Sequence, residues 1–107
     1  HKNLLGLILS CVSPENYEKN INEIKSLGIP FGFKLNGFVT TKPPLGYTST
    51  FNKSKTGNPN EFLGHREDLT PEKMALIAKK FKSAGATILG GCCETRPDHI
   101  KEIAKLK

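Results

Sequence analysis

Apolar runs of strand length alternate in this sequence with amphipathic helices that each begin at a proline, and this alternation restricts the possible folds most. Residues 4–10 are almost wholly apolar, as expected for a strand covered on both faces of a parallel sheet. Ser13 is expected to cap a helix that starts at Pro14 and ends at Gly28. A second apolar strand is predicted at 31–35, so this part of the chain has the order of a βαβ unit.

The same order returns in the second half of the chain. Thr70 is predicted to cap a helix that begins at Pro71 and stops near Gly85. A strand at 86–89 and a helix starting at Pro97 follow, and this alternation is typical of an α/β barrel or a doubly wound sheet. Helical spacing predicts inward positions at Tyr17, Ile21, Ile24 and Leu27, at Met74, Ile77, Ala78 and Phe81, and at Ile100, Ile103 and Ala104.

A long polar stretch, residues 37–69, interrupts this alternation and shows no periodicity of its own. Loops of this length in a compact domain are usually functional or disordered. In an α/β barrel this stretch would be a βα loop at the active-site face. Both interpretations remain open, since its scattered aromatic residues would also allow it to pack.

The three cysteines of the chain are the strongest indication of chemistry. Cys11 follows the first predicted strand, and Cys92 and Cys93 follow another strand through Gly90 and Gly91, which are expected to allow a sharp turn. Carboxyl ends of parallel strands converge on one ligand-binding face, so the three thiols would suit a soft metal. Zinc held by three protein ligands keeps a fourth position open, as in catalytic sites. The alternative is that some of these cysteines are ordinary buried thiols.

Composition limits the kinds of partner. The net charge of +6 arises from 16 Lys and Arg against 10 Asp and Glu, but only Arg66 and Arg96 are arginines and tryptophan is absent. This pattern favours a solvated lysine surface over nucleic-acid binding. No apolar run is long enough to span a membrane, so no membrane partner is expected. Residues 4–9 are not followed by a signal-peptide cleavage pattern. An odd number of cysteines indicates a reducing compartment, so we expect a cytoplasmic protein.

Several motifs of this chain resemble those of a known protein family. The segment Gly90-Gly91-Cys92-Cys93, followed by Thr95, Pro97, His99 and Ile100, resembles the C-terminal signature of the homocysteine S-methyltransferase family. That family includes betaine-, S-methylmethionine- and folate-dependent enzymes. Residues 6–15, 33–37 and 69–72 also resemble family segments, so the resemblance covers essentially the whole chain.

The resemblance implies a fold, a reaction and a set of site residues. Residues 1–107 would be the C-terminal portion of one (β/α)8 barrel domain, about strands six to eight, because such barrels take about 250 residues. It further implies zinc-dependent methyl transfer from a small donor to homocysteine, giving methionine, with the donor left open. By resemblance the zinc ligands are Cys11, Cys92 and Cys93, and Asn36 and Gly91 contact the substrate.

Some positions depart from the family pattern. Ser10 replaces an asparagine before the first ligand cysteine, and Glu94 and Arg96 stand where glycine and threonine are common. Glu94 would either tune the metal or point to solvent. The turn Asn36-Gly37-Phe38 also lacks the acidic residue that usually follows it.

Two questions stay open at this stage. A stand-alone, non-catalytic zinc- or thiol-binding module is the alternative to the enzyme, and its structural site would need a fourth ligand such as His65 or His99. We expect His99 to cap or pack, whereas His65 is ambiguous. Because the sequence begins at His1 and Met74 is its only methionine, we expect an upstream part, a complementary N-terminal chain or an oligomer to complete the domain.

Overall fold

The computed structural model describes residues 3–42 and 63–107, which form three parallel strands alternating with helices. The segment 43–62, most of the predicted loop 37–69, lies outside the described residues, so the loop's two interpretations are not tested there. In chain order the elements are β1 (Leu7–Val12), α1 (Pro14–Ser26), β2 (Phe31–Leu35), α2 (Pro71–Ser83), β3 (Ile88–Gly91) and α3 (Pro97–Ala104).

The sheet follows chain order. β2 lies in the middle and pairs in parallel with β1 on one side and β3 on the other. Leu7 is opposite Phe31 at the start of the first pairing, and Leu35 is opposite Gly91 at the end of the second. The predicted α/β alternation is therefore confirmed, and the carboxyl ends of all three strands meet at one edge of the sheet.

All three helices begin where the sequence predicts. The Ser13 hydroxyl accepts a hydrogen bond from the Asn16 amide at 3.3 Å, and the Thr70 hydroxyl accepts one from Lys73 at 3.2 Å. These caps satisfy amide groups that the first helical turn leaves without partners. α3 begins at Pro97 without such a hydroxyl.

Two strand predictions were displaced. β1 was expected at 4–10 but occupies Leu7–Val12, and the third strand was expected at 86–89 but occupies Ile88–Gly91. The reason is the available pairing: β2 spans only Phe31–Leu35, so its neighbours end where it ends. Leu4 and Leu5 lie before that pairing and are exposed. Hydrophobicity predicted the strands, but the partner strand set their limits.

The core lies between the sheet and the helices. Phe33 is fully buried in β2, and its ring centroid lies 5.2 Å from that of Tyr17 in α1 and 5.5 Å from that of Phe81 in α2. The opposite face of the sheet carries Ile8 and Lys34, which are exposed among the described residues. The helices therefore cover one face of the sheet.

Three predicted inward positions were wrong. Leu27 is 56% exposed because α1 ends at Ser26, so Leu27 caps the helix instead of facing its apolar side. Ile100 and Ala104 in α3 are exposed along an open groove of about 730 Å³, which Leu89 also lines. The apolar residue of α3 that is buried is Ile103.

In the described ranges, no helix has the combination of length and apolar character that a membrane span requires.

Candidate metal centre

The three cysteines meet at the carboxyl ends of the strands, as predicted. Cys11 Sγ lies 3.7 Å from Cys93 Sγ, and Cys92 Sγ lies 4.0 Å from Cys93 Sγ. All three sulfur atoms lie within 4.8 Å of one another. Since β2 separates β1 from β3, the cluster bridges the two outer strands across the end of the middle one. The thiols are reduced, and Cys93 is exposed.

Cys11 does not follow β1 as predicted but lies within it. The pairing passes from Ser10 opposite Lys34 directly to Val12 opposite Leu35, so Cys11 is an extra residue in the strand. Its φ of 54° lies in the left-handed region, which non-glycine residues seldom adopt. Such a bulge changes the direction of one side chain without ending the strand. Periodicity cannot reveal this, because the signal of a strand is the same with or without one extra residue.

Asn36 holds this unusual backbone in place. Its side chain is fully buried, and Nδ2 donates a 2.7 Å hydrogen bond to the carbonyl oxygen of Cys11. The same nitrogen lies 3.9 Å from Cys11 Sγ, and Oδ1 accepts a hydrogen bond from the Phe38 amide at 3.3 Å. The end of β2 is therefore tied to the first cysteine through a side-chain amide.

The turn that carries Cys92 and Cys93 is fixed by backbone hydrogen bonds. The Cys92 amide donates to Leu35 at 2.7 Å, and the Cys93 carbonyl accepts from Gly37 at 2.8 Å. Gly37 is required here, because a Cβ atom on it would lie only 2.9 Å from the carbonyl oxygen of Glu94. Both cysteines are thus anchored to the residues that follow β2.

The predicted turn at Gly90 and Gly91 was wrong in its location. Both glycines belong to the end of the sheet, and the left-handed residue of the turn is Glu94, with a φ of 59°. The structural need at Gly91 is space, since a Cβ atom there would overlap the hydroxyl of Thr95. Gly91 thereby allows the turn to fold back closely on β3.

Because the sulfur atoms lie close together, the pKa of Cys92 and the pKa of Cys93 shift in opposite directions. Burial raises the pKa of Cys92, but hydrogen bonds from Cys11 and Cys93, with the charge of Lys34, leave it below its ordinary value. Burial and the hydrogen bond with Cys11 raise the pKa of Cys93 to about 11. Cys92 therefore releases its proton more readily than Cys93, as expected when a second negative charge next to the first is unfavourable.

The two histidines considered as possible fourth ligands, His65 and His99, have different surroundings. His99 is buried, its Nδ1 accepts from the Arg96 amide at 3.1 Å, and its Nε2 lies 2.8 Å from the carbonyl oxygen of Leu69. Both ring nitrogens are therefore occupied, which confirms the capping and packing role. His65 Nδ1 lies 2.8 Å from a carboxylate oxygen of Glu94, so the carboxylate points back into the protein instead of to solvent.

Sequence reasoning missed a charged cluster near this edge of the sheet. Arg66 donates to Glu15 at 2.9 Å and to Asp68 through two nitrogens, at 2.7 and 3.1 Å. The guanidinium group keeps the pKa of Glu15 and the pKa of Asp68 below their ordinary values. A short run of charged residues inside a polar loop gave no signal that distinguished it from a solvated surface.

Comparisons with known proteins identify relatives of this chain. A family model described as homocysteine S-methyltransferase matches residues 1–106. The chain is 42% identical over 104 residues to "Homocysteine S-methyltransferase 1" of Saccharomyces cerevisiae. The aligned region covers 97% of this chain and 28% of the yeast protein.

A plant relative gives a shorter match. "Homocysteine S-methyltransferase 1" of Zea mays is 35% identical over 54 residues, which is 50% of the chain and 15% of the maize protein. The chain thus spans less than a third of either relative. The near-complete match to the family model, together with the similarity to the yeast protein, shows that this chain belongs to the homocysteine S-methyltransferase family.

Proposed function

We propose that the protein transfers a methyl group from a small donor to the sulfur of homocysteine, and that this chain supplies the zinc ligands. The observation that carries the proposal is the convergence of Cys11, Cys92 and Cys93 at one edge of a parallel sheet. Family membership supports the choice of substrate.

The donor set suits zinc in type and in spacing. With zinc–sulfur bonds of about 2.3 Å, two sulfur ligands of a tetrahedral ion lie about 3.8 Å apart. The sulfur–sulfur distances of 3.7 Å and 4.0 Å are close to that value. Within the described ranges, the candidate ligand group consists of the three cysteines and includes no histidine or carboxylate. A three-sulfur shell leaves one position for the substrate sulfur.

Chemically, the reaction needs a homocysteine thiolate at neutral pH. A zinc ion in this shell would supply it by binding the sulfur and displacing its proton. The sulfur then forms a bond to the methyl carbon while the bond from that carbon to the donor's onium or amine atom breaks. The electron pair of the broken bond stays with the donor, which leaves demethylated. The chain's own contribution is to hold Cys11, Cys92 and Cys93 in fixed positions through the hydrogen bonds of Asn36 and Gly37.

We propose further that the described elements are part of a (β/α)8 barrel wall, about strands six to eight. Strand order that follows chain order, with helices on one face, supports this arrangement. The exposed face that carries Ile8 and Lys34 would then point into the barrel. Three strands cannot close a barrel, so the remaining strands would come from other parts of the protein or from a complementary chain.

Two substrate contacts remain proposals. Gly91 ends β3 and Asn36 follows β2, so both lie beside the cysteines at the edge of the sheet that would face homocysteine. The hydrogen bonds of Asn36 support an additional role, namely keeping Cys11 at its bulge. The identity of the methyl donor, whether betaine, S-methylmethionine or a folate, is left to experiment.

Zinc analysis with and without homocysteine tests the proposal. We expect one zinc per complete protein, and X-ray absorption should show a nitrogen or oxygen neighbour replaced by sulfur when homocysteine binds. Homocysteine binding should also release a proton, and this release should disappear when zinc is removed.

Variants then identify the ligands. Cys11→Ala should lose most of the zinc and methyl transfer, whereas the adjacent exposed position, in Ser10→Ala, should keep both. A Cys11→Ala protein that retains full zinc would contradict the ligand set. A zinc shell with four protein ligands that homocysteine leaves unchanged would instead favour a non-catalytic zinc module.

A further inference from the structure

Residues 63–69, here called the strap, run across the carboxyl ends of the strands. The strap is held at its start by the Val39 amide, which donates to the Gly64 carbonyl at 3.1 Å. Further along, the Arg66 amide donates to the Gly37 carbonyl at 2.8 Å. Gly37 in turn donates to the Cys93 carbonyl, so one residue links the strap to the cysteine turn.

The middle and the end of the strap are each fastened to a helix. The Arg66 side chain contacts Glu15 in the first turn of α1, and the carbonyl oxygen of Leu69 lies 2.8 Å from His99 Nε2 in α3. The side chain of Arg66 is only 18% exposed, whereas that of Glu15 is 58% exposed, so this contact lies at the surface of the protein. The strap therefore has a defined position next to the cysteine cluster.

One side-chain contact joins the strap directly to the turn. His65 Nδ1 lies 2.8 Å from Glu94 Oε2, and Glu94 follows Cys93 in sequence. The Glu94 side chain is 13% exposed and that of His65 is 39% exposed. Nδ1–H of a neutral imidazole can donate this hydrogen bond, so the contact does not require a charged histidine.

The backbone of Glu94 adds an independent observation. Its φ of 59° lies where glycine is favoured and where an L-residue is strained by its Cβ atom. Backbone strain of this kind persists only where the surroundings compensate for it. At Glu94 the contact of its carboxylate with His65 provides such compensation.

We propose that His65 and Glu94 form a latch that fastens the strap to the Cys92–Cys93 turn, which makes His65 a positioning residue for the cysteine cluster. The inference deepens the proposed function, on which it rests, by assigning a role to a residue outside the ligand set. Groups that orient metal ligands from behind typically change metal affinity or activity by about 10- to 100-fold when removed. We expect an effect at the lower end, since Gly37 also holds the turn.

Hydrogen exchange in the complete protein tests the latch without reference to activity. His65→Ala and Glu94→Ala each remove one partner of the latch and should each speed exchange about tenfold at the amides of Val39 and Arg66, since these amides form the hydrogen bonds between the strap and the residues that follow β2. Glu67→Ala is the matched control, because it removes an exposed carboxylate of the strap that forms no hydrogen bond or ion pair with another described residue.

Zinc affinity, measured by chelator competition, tests the positioning role. His65→Ala and Glu94→Ala should each weaken zinc binding about tenfold, and the double variant should bind zinc no more weakly than either single one. Glu94→Gly should weaken zinc binding equally while unfolding at no lower temperature than the parent, because glycine relieves the strained backbone. A residue with only a structural role would change stability and zinc affinity together.

Each outcome decides one point. Unchanged exchange in both single variants would overturn the latch, and faster exchange with unchanged zinc affinity would overturn the positioning role. If the parent protein bound no zinc and transferred no methyl group, the proposed function would fail. Exchange alone would then decide whether the two residues fasten the strap.

Discussion

Replacing Asn36 by alanine is expected to destabilise the protein by about 3 kcal/mol, because two backbone groups would lose their partners in a buried place. A buried polar group left unsatisfied costs about 1–3 kcal/mol. The carbonyl of Cys11, bonded at 2.7 Å, is assigned about 2 kcal/mol. The amide of Phe38, bonded at 3.3 Å, is assigned about 1 kcal/mol.

Urea unfolding of the metal-free protein measures this loss directly. Asn20→Ala is the matched control, since its amide also donates to a backbone carbonyl, at 2.8 Å, but from an exposed position. We expect that control to cost below about 0.5 kcal/mol. Zinc affinity should fall in Asn36→Ala and stay unchanged in Asn20→Ala. Equal losses of stability in the two variants would refute the assignment of Asn36 as the residue that holds the Cys11 bulge.

Three other predictions follow from packing, charge and space. Phe33→Ala should lower the free energy of unfolding by about 4 kcal/mol, whereas Leu76→Ala, at a position 68% exposed, should change it by less than about 0.5 kcal/mol in the same urea titration. Arg66 lowers the pKa of Glu15 and of Asp68 in the folded protein, so the unfolded state binds more protons and stability should fall as the pH drops below 4.5. Arg66→Gln should flatten that dependence in unfolding curves recorded from pH 6 to 3. Gly91→Ala should lower both the unfolding temperature and zinc affinity, because a Cβ atom at Gly91 has no space. Gly90→Ala should be tolerated, because a Cβ atom there would lie 3.5 Å from its nearest neighbour, and equal effects of the two variants would contradict this account of Gly91.

Local signals predicted the helices and the middle strand well. Ser13 and Thr70 before prolines mark helix starts, because side-chain capping and the fixed φ of proline act within a few residues. β2 matched its apolar run because it is paired on both sides and buried. The meeting of the cysteines was also predictable, since parallel strands bring their carboxyl ends to one edge.

Features that depend on distant parts of the chain were not predictable. The bulge at Cys11 depends on Asn36, which is 25 residues away in sequence. The strained turn at Glu94 depends on the strap, and the ends of β1 and β3 depend on the length of β2. No local pattern of hydrophobicity or turn residues encodes such contacts, so sequence reasoning brought the three cysteines together correctly but not the backbone that holds them.

The extra residue at Cys11 also has consequences for how this sequence can diverge. Because Cys11 is the extra residue of β1, losing one residue from the strand would make the pairing regular and would remove the left-handed backbone that directs the Cys11 side chain. By contrast, residues 27–30 join α1 to β2 at the opposite end of the sheet, away from the cysteines. We therefore expect homologues to differ in length at that connection, and to keep the number of residues between Leu7 and Val12 constant wherever the three cysteines are retained.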